Sequence, residues 1–122
     1  MDEKDAEIEL VELHPRGDAI LIVCHEFKPP RKWLVSSHVL GVASPYFERL
    51  LNSEFKEGKA VQNGECPEIA LQEDDPDAMN IILSSLHYKK ESTMMTLDLF
   101  NSLAIHSDKY KCSQAFHTWV SL

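Results

Sequence analysis

The sequence predicts an α+β fold, a small sheet of short strands flanked by helices, on three observations. A continuous apolar run rich in β-branched residues, Ala19-Ile20-Leu21-Ile22-Val23-Cys24, stands early in the chain and reads as a strand covered on both faces. After a Pro29-Pro30 break, Trp33-Leu34-Val35 starts a second strand, so the two form a hairpin-like pair. After Ser36 the apolar residues fall mostly at helical spacing. Early strands followed by mostly helices place the helices on one side of the sheet.

The elements follow in order. Residues 1–7 are acidic and loose. Ile8-Glu9-Leu10-Val11-Glu12-Leu13 is either a strand or a short helix, since its pattern suits both, and His14-Pro15-Arg16-Gly17 is a turn. Ser36 or Ser37 caps a short helix carrying Val39, Leu40 and Ala43. Ser44 caps the next, with Pro45 in its first helical position and Phe47, Leu50 and Leu51 on one face. Residues 56–67 hold Gly58, Gly64 and Pro67 and read as loop, and Glu68-Ile69-Ala70-Leu71 is a short strand. Asp75 caps a strong helix that starts at Pro76, with Asp77 in its first turn and Met79, Ile82, Leu83 and Leu86 as its stripe. A further helix from about Leu97 to Ser107 buries Leu99, Phe100, Leu103 and Ala104. A last one carries Cys112, Phe116, Trp119 and Val120. The expected core is Ile20, Ile22, Leu34, Leu40, Phe47, Leu50, Ile82, Leu86, Leu103 and Phe116.

A chain of 122 residues is one domain. A domain of this size buries roughly two thirds of its unfolded surface and folds without a disulfide or metal staple. The net charge of −8 repels phosphate backbones, so direct nucleic-acid binding is not expected. Three widely spaced cysteines, Cys24, Cys66 and Cys112, argue against a disulfide framework and for a reducing, intracellular setting. The acidic amino terminus does not resemble a signal peptide, and no apolar run approaches the roughly 20 residues of a membrane span.

Chemistry finds few footholds. The 4 glycines are scattered rather than grouped as in a phosphate loop, and no G-x-S-x-G elbow is present. The 6 histidines lack the close pairing of zinc ligands, and Cys24 and Cys112 read as buried small hydrophobes. Glu73-Asp74-Asp75 with Asp77 lacks the ligand spacing of a calcium loop and reads as helix capping. A small hydrolase or metalloprotein built on the serines and histidines is a remote alternative, for which no nucleophile, base and orienter can be named. No catalytic residue, cofactor or metal ligand is therefore expected.

Several stretches carry a resemblance. Gly17-Asp18-Ala19-Ile20-Leu21-Ile22-Val23 is similar to the first core strand of BTB/POZ domains, and Leu34 to Leu40 followed by Ala43-Ser44-Pro45-Tyr46-Phe47 resembles that family's most diagnostic segment. Phe55-Lys56-Glu57, Ile69 to Pro76, Leu86-His87-Tyr88, Ala104 and Asp108-Lys109-Tyr110 resemble later family segments. The likeness covers about residues 17–120, with residues 1–16 as an acidic N-terminal segment and 17–122 as the domain. Ser36-Ser37, Leu86-His87-Tyr88 and Asp108 to Cys112 look most like the family's fungal branch, in which serines replace the histidine-lysine pair of animal members.

The resemblance implies a non-enzymatic protein–protein interaction module that self-associates, docks partner proteins, or both. It implies a homodimer formed through the early strand and first helices, with Asp18, Ser37, Val39 and Leu40 as interface candidates. In animal members a basic residue at the position of Ser37 pairs with the aspartate matching Asp18, so Asp18 is expected to lack that partner here. The alternative is a substrate adaptor for a cullin-type ubiquitin ligase, since Phe55-Lys56-Glu57 resembles the hydrophobic-x-glutamate pattern of cullin-binding relatives. Phe55 would then anchor the contact and Glu57 would add a hydrogen bond. Set against this is plain packing, with Phe55 continuing the stripe of Leu51 and Glu57 solvated.

Overall fold

The computed structural model describes residues 8–52, 56–72, 74–89 and 94–112. Four strands, β1 (Leu10–Glu12), β2 (Ala19–Val23), β3 (Arg31–Val35) and β4 (Glu68–Leu71), form one mixed sheet in the order β1-β3-β2-β4. β2 and β3 are the expected antiparallel pair, with Leu21 opposite Trp33, while β1 runs parallel to β3 and β4 parallel to β2. The ambiguous segment at residues 8–13 is thus a strand where it pairs. The Gly17 N–H closes the following turn on the His14 carbonyl at 3.1 Å. A Cβ at Gly17 would stand 2.4 Å from Cγ of Leu34, so this close approach of turn to sheet requires glycine.

The parity of the strands corrects the expected core. Ala19, Leu21, Val23, Trp33 and Val35 are buried, whereas Ile20, Ile22 and Leu34 lie on the other face and are only half-buried. That outer face also carries Lys32 and Glu68, paired at 3.1 Å across β3, β2 and β4. An unbroken apolar run has no polar residue to reveal which face turns inward, so sequence gave no basis for choosing. Cys24, expected to be buried, falls just beyond β2 and is exposed.

Five helices are present among the described residues: α1 (Ser37–Ala43), α2 (Pro45–Leu51), α3 (Lys56–Gln62), α4 (Pro76–Leu86) and α5 (Leu97–Lys109). Ser36 caps α1 by accepting from the Val39 N–H at 3.2 Å, and Ser44 caps α2 by accepting from the Phe47 N–H at 3.2 Å. Asp75 caps α4, as its sequence position suggests. α3 overturns the loop reading for residues 56–62, where Gly58 is buried inside the helix, while residues 63–67 do form the expected loop, with Gly64 at φ 75° closing the helix end. On α5 the inward residues are Leu99, Leu103, His106 and Ser107, continued by Tyr110 just past its end, while Phe100 and Ala104 face outward. Two apolar stripes share that helix, and periodicity alone does not say which one meets the core. The expected last helix with Phe116, Trp119 and Val120 lies outside the described residues, as do residues 1–7. Among the described residues no helix is long and apolar enough to cross a membrane.

The core gathers around α4, whose residues Ala78, Met79, Ile81, Ile82, Leu83 and Leu86 are all buried. Inside it, Trp33 donates its Nε1–H to Asn80 at 2.9 Å, which satisfies two buried polar groups at once. Phe47 is fully buried and stacks on Tyr110 with ring centroids 5.1 Å apart. Leu40, Phe47, Ile82, Leu86 and Leu103 are buried as expected, while Leu50 is half-buried.

Two expectations test this packing. Phe47→Ala removes a fully buried ring and its stack, and should cost about 3–5 kcal/mol, read as a lower denaturation midpoint. An unchanged midpoint would show that the α2 face is wrongly placed. The second concerns His87, whose Nε2 accepts the Ser36 N–H at 3.1 Å while its Nδ1–H donates to the Leu83 carbonyl at 2.8 Å. Both bonds require the neutral ring. Burial above all, with His14 and Lys89 nearby, holds its pKa below the ordinary 6.5. The unfolded chain therefore takes the proton first, so the stability from neutral His87 is complete above 6.5 and is lost as the pH falls below it. The melting temperature should drop between about pH 7 and 5, and His87→Gln should flatten that slope. Equal slopes for both proteins would remove the role given to His87.

Candidate interaction surface

The sequence singles out the junction where β3 passes into α1, and the structure places Asp18 against it. The Asp18 carboxylate accepts from the Ser37 N–H at 2.8 Å and from the Ser37 hydroxyl at 2.6 Å. Asp18 has therefore not been left without a partner: Ser37 supplies donors in place of a cation, and the start of α1 adds its favourable dipole. Of the four interface candidates, Ser37 is buried, Asp18 and Val39 are half-buried, and Leu40 has no exposed surface. Leu40 is a core residue and offers nothing to a second chain. The exposed side of α1 is instead His38 and Val42, the latter 77% exposed.

Beside this junction lies β1, one border of the sheet, with no strand on its outer side among the described residues. The Leu13 N–H donates to the Leu34 carbonyl at 3.0 Å, so by alternation the backbone groups of Leu10 and Glu12 point away from β3. Leu10 is 45% exposed. An unpaired strand edge is a template for a further strand.

The other sequence candidates lie on α3. Lys56 is exposed at its first position, and Glu57 is half-buried in its first turn, where the helix dipole favours a carboxylate. Phe55 lies outside the described residues.

The structure also brings together Ser102, His106, Asp74 and Asp75, a set of catalytic residue types that sequence reading did not assemble. The protons run the wrong way for nucleophile activation. The Ser102 hydroxyl donates to Asp75 at 2.8 Å, the His106 Nδ1–H donates to the Ser102 carbonyl at 2.7 Å, and Nε2 accepts the Asp75 N–H at 3.0 Å. Each group braces the start of α4 or the turn of α5. Burial pushes the Asp75 carboxyl up, but Lys28, 2.7 Å away, with Ser102 and the Asp77 N–H, holds it below its ordinary value. A cleft of about 380 Å³ opens nearby, with Lys28, Arg31, Asp77 and Asp98 among its lining. No group of His, Cys, Asp and Glu side chains suited to a metal ion occurs among the described residues. Burial pushes the Cys112 thiol up to about 11, which keeps it an unreactive packing group.

No curated protein matches the chain. A family model described as the BTB/POZ domain matches residues 18–118, which begin at the Asp18 that holds Ser37 and take in β2 to β4 and all five helices. Domains of this kind are generally protein–protein interaction modules, and with the match spanning most of the chain, this protein belongs to the BTB/POZ domain family.

Proposed function

We propose that this chain is a non-enzymatic, intracellular adaptor of the fungal BTB/POZ type that pairs with a second copy of itself and holds partner proteins. The open edge of β1 carries this reading. Its outward backbone groups accept a strand from another chain, main-chain hydrogen bonds supply affinity, and the half-buried apolar residues of the outer face, Ile20, Ile22 and Leu34, extend the contact. The three free cysteines support the intracellular setting. Asp18, satisfied by Ser37, adds no unpaired charge that would oppose burial in an interface.

Sedimentation velocity at micromolar concentration tests the edge. Wild type should dimerise. Glu12→Pro removes an outward N–H without touching the ladder to β3, so it should remain monomeric with a nearly unchanged melting temperature. A wild-type chain that stays monomeric at the highest concentration overturns the proposal.

A second reading, docking of a cullin-type scaffold, is supported by one placement: Lys56 and Glu57 open α3 at the surface, where a partner helix has access. Charge reversal, Glu57→Arg, should abolish co-precipitation of a purified cullin amino-terminal domain while leaving thermal stability within about 0.5 kcal/mol. A wild-type domain that does not retain the cullin removes this reading.

A further inference from the structure

The cleft of about 380 Å³ opens between the start of β3, the first turns of α4 and the start of α5, and all of its lining residues are described. Asn80 lies deepest, only 7% exposed. Its Oδ1 accepts the Trp33 Nε1–H at 2.9 Å. That bond fixes the amide, since the indole N–H needs an acceptor and the carbonyl oxygen is the one atom of the amide that accepts. Nδ2 therefore turns away from Trp33, and it donates to no group among the described residues. Ser107 Oγ is the one sealed side-chain atom without a partner among those residues, so Nδ2 is not sealed and opens onto the cleft. Two fixed donors thus stand unused at the bottom of a cleft, and buried polar groups are ordinarily satisfied.

The other walls give the guest its chemistry. By strand alternation Arg31 stands on the same face of β3 as Trp33, the partner of Asn80. Arg31 lines the cleft, is half-buried, and makes no hydrogen bond or ion pair among the described residues. Lys56, Lys59 and Lys111 are unpaired there too, but none of them lines the cleft. Asp75 and Asp77 are taken up by Lys28, at 2.7 and 3.2 Å. Asp98, in the first turn of α5, has no cation among the described residues and does not pair with Arg31. Leu99 beside it adds a partly buried apolar surface. Arg31 and Asn80 suit a carboxylate, Asp98 an ammonium, and Leu99 a hydrocarbon side chain. Charge excludes simpler guests. The lining sets two cations, Lys28 and Arg31, against three carboxylates, Asp75, Asp77 and Asp98. A lone anion would add to that negative excess, and a lone cation would leave Arg31 and the Asn80 amide unserved. The volume lies near the low end of the roughly 300–1,000 Å³ of small-molecule sites, so the guest is small.

We infer that this cleft binds a small zwitterion of the α-amino acid class, its carboxylate on Arg31 and Asn80 and its ammonium on Asp98. The site adds a small-molecule ligand to the interaction module and does not depend on the β1 edge. The probes are the free proteinogenic amino acids, ranked on the intact chain by thermal shift. The strongest is then measured by isothermal titration calorimetry beside its N-acetyl and amide derivatives, each of which lacks one of the two charges. Each derivative should bind about tenfold more weakly than its parent, or worse. Arg31→Gln should weaken the parent about tenfold and leave the amide derivative unchanged. Asp98→Asn should weaken the parent by a similar factor and leave the N-acetyl derivative unchanged. Neither is a core residue, so both variants should melt close to wild type. Asn80→Asp keeps the acceptor for Trp33 but replaces the donors with an anionic oxygen, and should abolish binding; if it fails to fold, the other two variants decide alone. No response to any free amino acid at millimolar concentration, a derivative that binds as tightly as its parent, or Arg31→Gln and Asp98→Asn binding like wild type would each overturn this site.

Discussion

A buried carboxylate holds this fold to one arrangement. Asp74, with no exposed surface, accepts from the Tyr110 hydroxyl and from Lys109 Nζ at 2.7 Å, and His106 Nε2 lies 3.6 Å away. An isolated charge at that depth would cost several kcal/mol, so the end of α5 must stay where its donors reach the link between β4 and α4. Tyr110 carries the constraint onward. Its carbonyl accepts from the Ser44 hydroxyl, the side chain that caps α2, and its ring stacks on Phe47 and meets Tyr46 edge-on at 4.9 Å. One residue thus ties α5 to the α1–α2 junction and to the start of α4. Burial and the neighbouring Asp74 carboxylate both push the Tyr110 phenol well above its ordinary value, which keeps it a donor at every physiological pH.

Two histidines repeat one device around that centre. His87 follows α4 and His106 lies in the last turn of α5. Each donates Nδ1–H to a carbonyl four residues back, and each offers Nε2 to a backbone N–H at the start of another helix, Ser36 before α1 and Asp75 before α4. A neutral imidazole satisfies a donor that the helix itself leaves orphaned, and it spans two elements in doing so. The helices therefore lean on one another through their ends as well as through their apolar faces.

The same organisation separates what is held from what is offered. Asp18 and Ser37, which resemble interface residues, are bound to each other and shape the entry to α1. Leu40 is withdrawn into the core. What remains outward is a strand edge, a sheet face with Ile20, Ile22 and Leu34 half-covered, and isolated large side chains such as Val42 and Tyr88. For a family whose members generally work by contact with other proteins, these are the surfaces on which that work can be done.

Much was legible in the sequence by itself. The helix starts at Ser36, Ser44 and Asp75 follow from side chains that satisfy local N–H groups, and the two central strands follow from short apolar runs bounded by turns; these are interactions between residues close along the chain. The family followed from short motifs read together. Tertiary structure alone decided which face of β2 and β3 turns inward, since Ile20 and Leu21 are equally apolar and only the helices above the sheet distinguish them. It also decided that Leu10–Glu12, within the ambiguous segment 8–13, form a strand, by supplying β3 as a parallel partner. It turned the glycines near α3 into a helix interior and a helix end, and it chose between the two apolar stripes of α5. The cluster of Asp74 and Asp75 with Ser102, His106 and Tyr110 was invisible beforehand, because its carboxylates and its partners stand on two separate segments that meet only when α5 closes against the start of α4.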